Sequence, residues 1–276
     1  MIEAEVPLAA RIRLAHAVVD ALATEAAVDL LHLKGPAADP AWYPPHGGSD
    51  VDVLVRPSHL PALERRLLAA GWEQRGDYDD SSAWAHSAAW WHDRWGCLDL
   101  HRSWPGLDTD PEAAYDALAR DHRSTLIAHR PCPTPRVEAE VLVLALHEGR
   151  SGPHRASTRH LRETWTAADP SLRAAVEALA HELGAEVGLA AGLGRLDDFR
   201  DHPDHDLWAV YSSGDANRWR EWRARLRSAR AHGVLGATLR RALRPTTPDG
   251  PADRGIAAVQ AARAWHLVRD SLRRRP

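Results

Sequence analysis

The chain has 276 residues, with 35 basic and 38 acidic side chains, a formal net charge of −3, and 44% hydrophobic and 26% charged residues. These are the proportions of soluble globular proteins, and they exclude disordered, collagen-like and disulfide-stapled classes. Two cysteines, Cys97 and Cys132, supply no disulfide framework, and no apolar run reaches the roughly 18 residues of a membrane span. Asp20 interrupts the one stretch that could serve as a leader, so a cytoplasmic protein is expected.

In chain order, Leu8, Ile12, Ala15, Val18, Val19 and Leu22 follow helical spacing and predict a helix over 7–28. Leu30-Leu31-His32-Leu33 is a short apolar run that Lys34-Gly35-Pro36 ends, the pattern of a buried strand entering a turn. Residues 41–49 are turn-rich. Asp50-Val-Asp-Val-Leu-Val55 alternates and is β-branched, a second strand. Pro57 and Ser58 open a helix to Leu68 that Gly71 closes. Strands are expected at 72–74, 83–91 and 96–101, a helix at 111–120 and a last strand at 124–128. Pro131, Pro133 and Pro135 then suggest a linker. Beyond it helices are expected at 136–149, 156–168, 171–183, 203–211, 217–231, 234–243 and 254–273. On the helix over 217–231, Trp219, Trp222 and Leu226 take core spacing. The fold class is α+β: a small α/β domain with a mixed sheet, residues 1–132, then an all-α domain, 133–276.

Two irregularities bear on function. Lysine occurs once, at Lys34, against 34 arginines. Codon bias toward arginine accounts for the ratio, yet a lysine kept under that bias suits a phosphate, which a compact ammonium meets differently from a planar guanidinium. Residues 218–276 hold fifteen arginines and four acids, a net +11, which leaves −14 for residues 1–217. That asymmetry fits either a nucleic-acid partner or a basic helical half packed on an acidic one, and the second is preferred.

On a strand, residues two apart share a face, so Asp50 and Asp52 point the same way. Adjacent carboxylates repel, and a divalent cation is the usual reason to keep them together. Asp99 lies in Cys97-Leu-Asp-Leu-His101, again alternating. Three acids on neighbouring strands could hold two Mg²⁺ ions that clamp a triphosphate for in-line attack. A zinc site of Cys97, Asp99 and His101 lacks the second close ligand pair such sites use. Trp84, Trp90, Trp91, Trp95 and Trp104 suit a packing face, or an aromatic acceptor pocket. Asp201-His-Pro-Asp-His-Asp206 has the look of a solvated turn.

The combination Leu33-Lys-Gly35, Ser49-Asp-Val-Asp-Val-Leu-Val55 and Leu98-Asp-Leu-His101 resembles the DNA polymerase β-like nucleotidyltransferases. Within them it is most similar to the bacterial nucleotidyltransferase family found near natural-product genes. The resemblance implies that Asp50, Asp52 and Asp99 bind two Mg²⁺ ions, with Mn²⁺ as a substitute, and that Asp99 also accepts the proton from, or orients, the attacking group. It implies that Lys34 and the amides around Gly35–Ala37 receive phosphates, that Ser49 adds a hydroxyl, and that His101 lines the acceptor site. Glu140–Gly149, with His147, resembles the family's first C-terminal helix. Two positions depart from the pattern: Pro36 replaces the serine after the glycine, and His46-Gly47-Gly48-Ser49 stands where many relatives carry an arginine. The implied activity is transfer of NMP, AMP first among them, from an NTP to a small-molecule, peptide or protein acceptor, with release of pyrophosphate. The alternative is a catalytically degenerate nucleotide-binding or antitoxin-like protein of the same fold.

Overall fold

The apolar stripe near the N-terminus folds as α1, Leu8–Glu25, and leads into β1, Leu30–Leu33. Then come β2, Asp50–Val55; α2, Leu60–Ala69, entered through a short 3₁₀ turn; β3, Glu73–Gln74; β4, Ser87–His92; and β5, Gly96–His101. This computed structural model describes residues 6–44, 50–78, 84–152, 154–214 and 217–242. The described chain through Ala242 forms one compact unit. The helix expected over 254–273 and most of the +11 segment lie outside the described residues.

The sheet has the order β1-β2-β5-β4-β3, with β2 and β5 parallel and the other neighbours antiparallel. It is the mixed sheet that the sequence implies. Alternation divides its two faces. Val51, Val53, Val55, Leu98 and Leu100 join Ala15, Val19 and Leu22 of α1 and Leu63 and Leu67 of α2 in one core. Leu31, Leu33 and Leu54 turn the other way, into a second core built mainly by helices. The polar members of that second face are Asp50, Asp52, Asp99 and His101, as the strand register requires.

Beyond the sheet, α3, Pro111–Ala119, is capped by Asp110, which accepts from the amides of Glu112 and Ala113. The helices α4, Val137–Glu148; α5, Ala156–Ala167; α6, Pro170–Glu182; α8, His205–Ser213; α9, Arg218–Ala231; and α10, Leu235–Ala242 fall close to the expected ranges. Three readings need correction. The proline-rich segment is no linker: β6, Arg123–Ile127, pairs with β7, Arg130–Thr134, as a hairpin. Its two-residue turn, Ala128-His129, has positive φ at both positions, the geometry of a type I′ turn. Pro131 and Pro133 then fall on the non-hydrogen-bonded pairs of the ladder, where the missing N–H costs nothing.

The second correction is α7, Glu186–Leu193, which sequence periodicity missed because it has no polar face: Val187 to Leu193 are all buried. The third is Trp219, which is exposed rather than core; Trp222 and Leu226 are half-buried, and Ala224 and Ala229 are buried residues of α9. Helix α7 sits directly on α4. A Cβ at Gly192 would lie 2.1 Å from the carbonyl oxygen of Ala145, a backbone atom with no freedom to retreat. Gly192→Ala is therefore expected to destabilise the fold by about 3 kcal/mol, from overpacking at a rigid contact. Urea denaturation checks this; an unchanged midpoint would show that α7 is not seated there.

Candidate active site

Strand β1 ends at Leu33, and the next two residues both take positive φ: Lys34 at 46° with ψ −176°, and Gly35 at 53°. Glycine tolerates this conformation, but a side chain there is strained, by about 1–3 kcal/mol. The chain continues as a three-residue 3₁₀ turn, Gly35–Ala37. The Lys34 side chain, 12% exposed, places Nζ 2.9 Å from Asp52 Oδ1. So the one lysine is no surface remnant; it is an inward-facing cation.

Parallel pairing of β2 with β5 puts Asp52 opposite Asp99 and Asp50 opposite Cys97. Asp52 is buried, and its Oδ1 also accepts from His101 Nε2 at 3.0 Å. Ligand atoms of Asp52, Asp99 and His101 all lie within 4.8 Å of one another. Asp50 shares their face one pleat earlier but is outside that group. His101, expected at the acceptor site, thus stands among the acids, and its Nδ1 is buried with no hydrogen-bond partner. Two carboxylates, with a third beside them, supply the oxygen donors that suit Mg²⁺ or Mn²⁺, while His101 holds Asp52 in place. Ser49 lies outside the described residues, as does the stretch 45–48 before it. The amide cradle is smaller than expected: Pro36 has no N–H, and the amide of Ala37 donates to the Lys34 carbonyl. Gly35 is what remains of it.

The helical part closes this face with residues that sequence reasoning did not assign. At the end of α4, His147 Nδ1 lies 3.4 Å from Lys34 Nζ. An ammonium can only donate, so His147 accepts there and carries its proton on Nε2. One turn on, the Arg150 guanidinium lies over the rings of Trp84, at 5.5 Å, and Trp104, at 5.7 Å. The Trp104 ring is also 4.8 Å from that of His101 and 5.6 Å from Lys34 Nζ, and Trp104 Nε1 donates to the Val143 carbonyl. His86 stacks 5.3 Å from His101. The signal for Arg150 was its i, i+3 spacing from His147, kept by the turn that follows α4, in which the Arg150 amide donates to the His147 carbonyl.

Electrostatics sort these groups by role. Burial opposes ionisation of Asp52, but the Lys34 ammonium and the His101 hydrogen bond outweigh it and hold the carboxyl well below the usual range. Burial, with Lys34 and Arg150 nearby, keeps His147 neutral. His101 is lowered by burial despite Asp52. Burial and the neighbouring cations push His86 down to about 2. Burial also brings the Arg150 guanidinium down to about 10, still charged at neutral pH. The site therefore presents two fixed cations beside a carboxylate pair, with neutral imidazoles between them.

These imidazoles have a consequence for stability. His86, His101 and His147, with His16 and His32 behind the sheet, all have folded pKa values below the unfolded one. As pH falls below about 6.5 the unfolded chain takes up protons that the folded chain refuses, and each histidine removes up to about 1.4 kcal/mol per pH unit. Burial lowers His232, but Asp204 outweighs this and raises it, so it acts oppositely. Asp52 withdraws its contribution only below about pH 4. Chelator-treated protein should unfold cooperatively near pH 5, by circular dichroism against pH. A flat signal down to about pH 4 would contradict the buried neutral assignment.

A family model described as uncharacterised nucleotidyltransferase matches residues 9–199. The chain resembles the lincomycin-bound crystal structure of the lincosamide antibiotic adenylyltransferase LnuA, with 15% identity, a TM-score of 0.36, and coverage of 54% of this chain and 92% of that one. It also resembles an antigenic nucleotidyltransferase-like protein from Paracoccidioides brasiliensis, with 16% identity, a TM-score of 0.37, and coverage of 67% and 93%. No curated protein matches it significantly.

Proposed function

Because the chain belongs to the uncharacterised nucleotidyltransferase family, we propose that it moves NMP, AMP in the first place, from an NTP to an acceptor and releases pyrophosphate. The observation that carries this is the pairing of Asp52 with Asp99 across parallel strands, with the Lys34 ammonium 2.9 Å from Asp52. Asp50, Asp52 and Asp99, with His101 beside them, would hold Mg²⁺; bound there, it would offset the triphosphate's charge and favour the ionised acceptor.

The chain's own residues do the rest. Lys34 lies between two partners, Asp52 and His147. The neutral imidazole can retain one N–H while the ammonium turns toward a phosphate oxygen. Arg150, held over two indole rings, is the second cation for the departing pyrophosphate. A carboxylate oxygen of Asp99 accepts the acceptor's proton as its oxygen or nitrogen attacks the α-phosphorus. One bond to phosphorus forms and the bond to the pyrophosphate oxygen breaks. Aromatic groups at the rim, Trp84 and Tyr211 with ring centroids 4.8 Å apart, are suited to stacking on a base or an acceptor.

The degenerate reading draws on Pro36 and the reduced amide cradle. Pyrophosphate release and a thermal shift separate the two. With Mg²⁺ and ATP, the active reading expects a raised melting temperature and pyrophosphate on addition of a nucleophilic acceptor pool, both abolished by chelator. A metal-dependent shift with no pyrophosphate from any of the four NTPs would favour the degenerate one, and no shift with any NTP would sink both. Parallel assays with ATP, CTP, GTP and UTP decide the base.

A further inference from the structure

Behind the sheet, on the face opposite Asp52, three elements bring a second set of donors together. Asp20 comes from α1, His32 from β1 and Cys132 from β7, and their ligand atoms lie within 4.8 Å of one another. All three are buried, His32 and Cys132 with no exposed surface at all. His32 pairs with Val53, so it points away from the catalytic face, and nucleotidyl transfer makes no use of it.

The geometry is that of a metal site rather than of a hydrogen-bonded core. His32 Nε2 lies 3.4 Å from Asp20 Oδ1, yet it has no hydrogen-bond partner. A tetrahedral ion with bonds of about 2.0–2.3 Å spaces its ligand atoms about 3.3–3.6 Å apart. The outer contacts also match: a ligating imidazole normally bonds through its other nitrogen, and a ligating carboxylate through its other oxygen. Here His32 Nδ1 meets His16 Nδ1 at 2.8 Å. Arg130 Nε donates to Asp20 Oδ2, and its second nitrogen is fixed by Thr24 Oγ1. Each arrangement leaves one nitrogen or oxygen over, close to the Cys132 sulfur. Asp20 and Thr24 border a surface cavity of about 440 Å³ with Arg56, Tyr115 and Asp116, the side of the cluster nearest solvent.

We propose that Asp20, His32 and Cys132 bind a zinc-class divalent ion that ties α1 and the β6–β7 hairpin to the sheet. A sulfur, a nitrogen and a single oxygen select Zn²⁺ over the Mg²⁺ that the oxygen-rich front face suits. Three protein ligands leave the fourth position for water. On binding, the Cys132 thiol gives its proton to solvent and the thiolate bonds the ion. The two negative ligands then neutralise the metal, and Arg130 keeps its bond to the outer oxygen of Asp20.

The test uses the full chain stripped with chelator and titrated with Co²⁺ alone. A thiolate-to-cobalt charge-transfer absorbance should grow in, saturate at one ion per chain at this site, and be displaced by Zn²⁺; Co²⁺ on the front-face carboxylates adds no such band. The band should persist in Cys97→Ser and in Asp99→Asn, which touch only the front face, and vanish in Cys132→Ser. Zn²⁺ should raise the melting temperature of wild type by about 5 °C. X-ray absorption of the zinc-loaded wild type needs no variant and should show one sulfur with nitrogen and oxygen neighbours. No Co²⁺ uptake, binding without the band, a band lost in Cys97→Ser or kept in Cys132→Ser, or a shell of nitrogen and oxygen alone would each overturn the site. None of these outcomes depends on nucleotidyl transfer.

Discussion

Asp52→Asn is expected to lower kcat about 10³-fold while the protein stays folded. Asparagine keeps the shape of the side chain and one acceptor oxygen for Lys34 and His101, and removes the charge. The carboxylate is buried, faces Asp99 across the parallel pair, and accepts from both Lys34 and His101. Removing one member of a buried, hydrogen-bonded pair leaves the other uncompensated, and stability should fall by about 3 kcal/mol. That loss cannot itself produce a thousandfold defect if the melting temperature stays above the assay temperature. The defect would instead come from charge that the reacting phosphates no longer meet, the size expected of one lost transition-state contact. Asp99→Asn should reach a similar kcat with a smaller stability loss, since Asp99 is less buried. Steady-state kinetics beside thermal melts separate the two effects. Wild-type kcat in Asp52→Asn would remove Asp52 from catalysis.

Much of this site was legible because strands obey a two-residue period. Asp50-Val-Asp-Val-Leu-Val55 and Cys97-Leu-Asp-Leu-His101 state their own faces, and the sheet pairs them in the register that the shared face needs. Where the reading fell short, the missing information was tertiary. Helix α7 is buried on every side, so it has no polar phase to detect. The prolines of β7 resemble a linker until the I′ turn fixes which pairs lack hydrogen bonds. Trp219 has the spacing of Trp222 and Leu226, which are half-buried, yet it stands exposed at the start of its helix. Arg150 and His147 reach Lys34 and the acids only because α4 docks its C-terminal end on that face, about a hundred residues away in sequence. Asp20, His32 and Cys132 come from three separate elements, and no spacing rule links them.

Lys34→Ala is expected to weaken binding of a non-hydrolysable NTP and slow turnover by about 10²–10³-fold, the range for one charged contact worth about 2–4 kcal/mol. Its position sets what replacements can do. The ammonium touches Asp52 and His147 and sits 5.6 Å from the Trp104 ring, in a side chain only 12% exposed. A guanidinium is wider and planar, so Lys34→Arg must displace one of these neighbours and should recover no more than about a tenth of the lost activity. Loss of the cation also leaves the Asp52 carboxylate with His101 alone, so Lys34→Ala should be less stable as well as less active. The backbone adds a second, separable effect. Lys34 holds φ at 46°, a strained value for any residue with a Cβ. Lys34→Gly removes the same cation but relaxes that strain, so it should be about 1 kcal/mol more stable than Lys34→Ala and equally inactive. Isothermal titration with Mg²⁺ present, beside urea denaturation of all four proteins, reads both effects. If Lys34→Gly restored turnover, the residue would serve the turn; if it matches Lys34→Ala in turnover and exceeds it in stability, the ammonium serves the phosphates and the strain is the cost of putting it there.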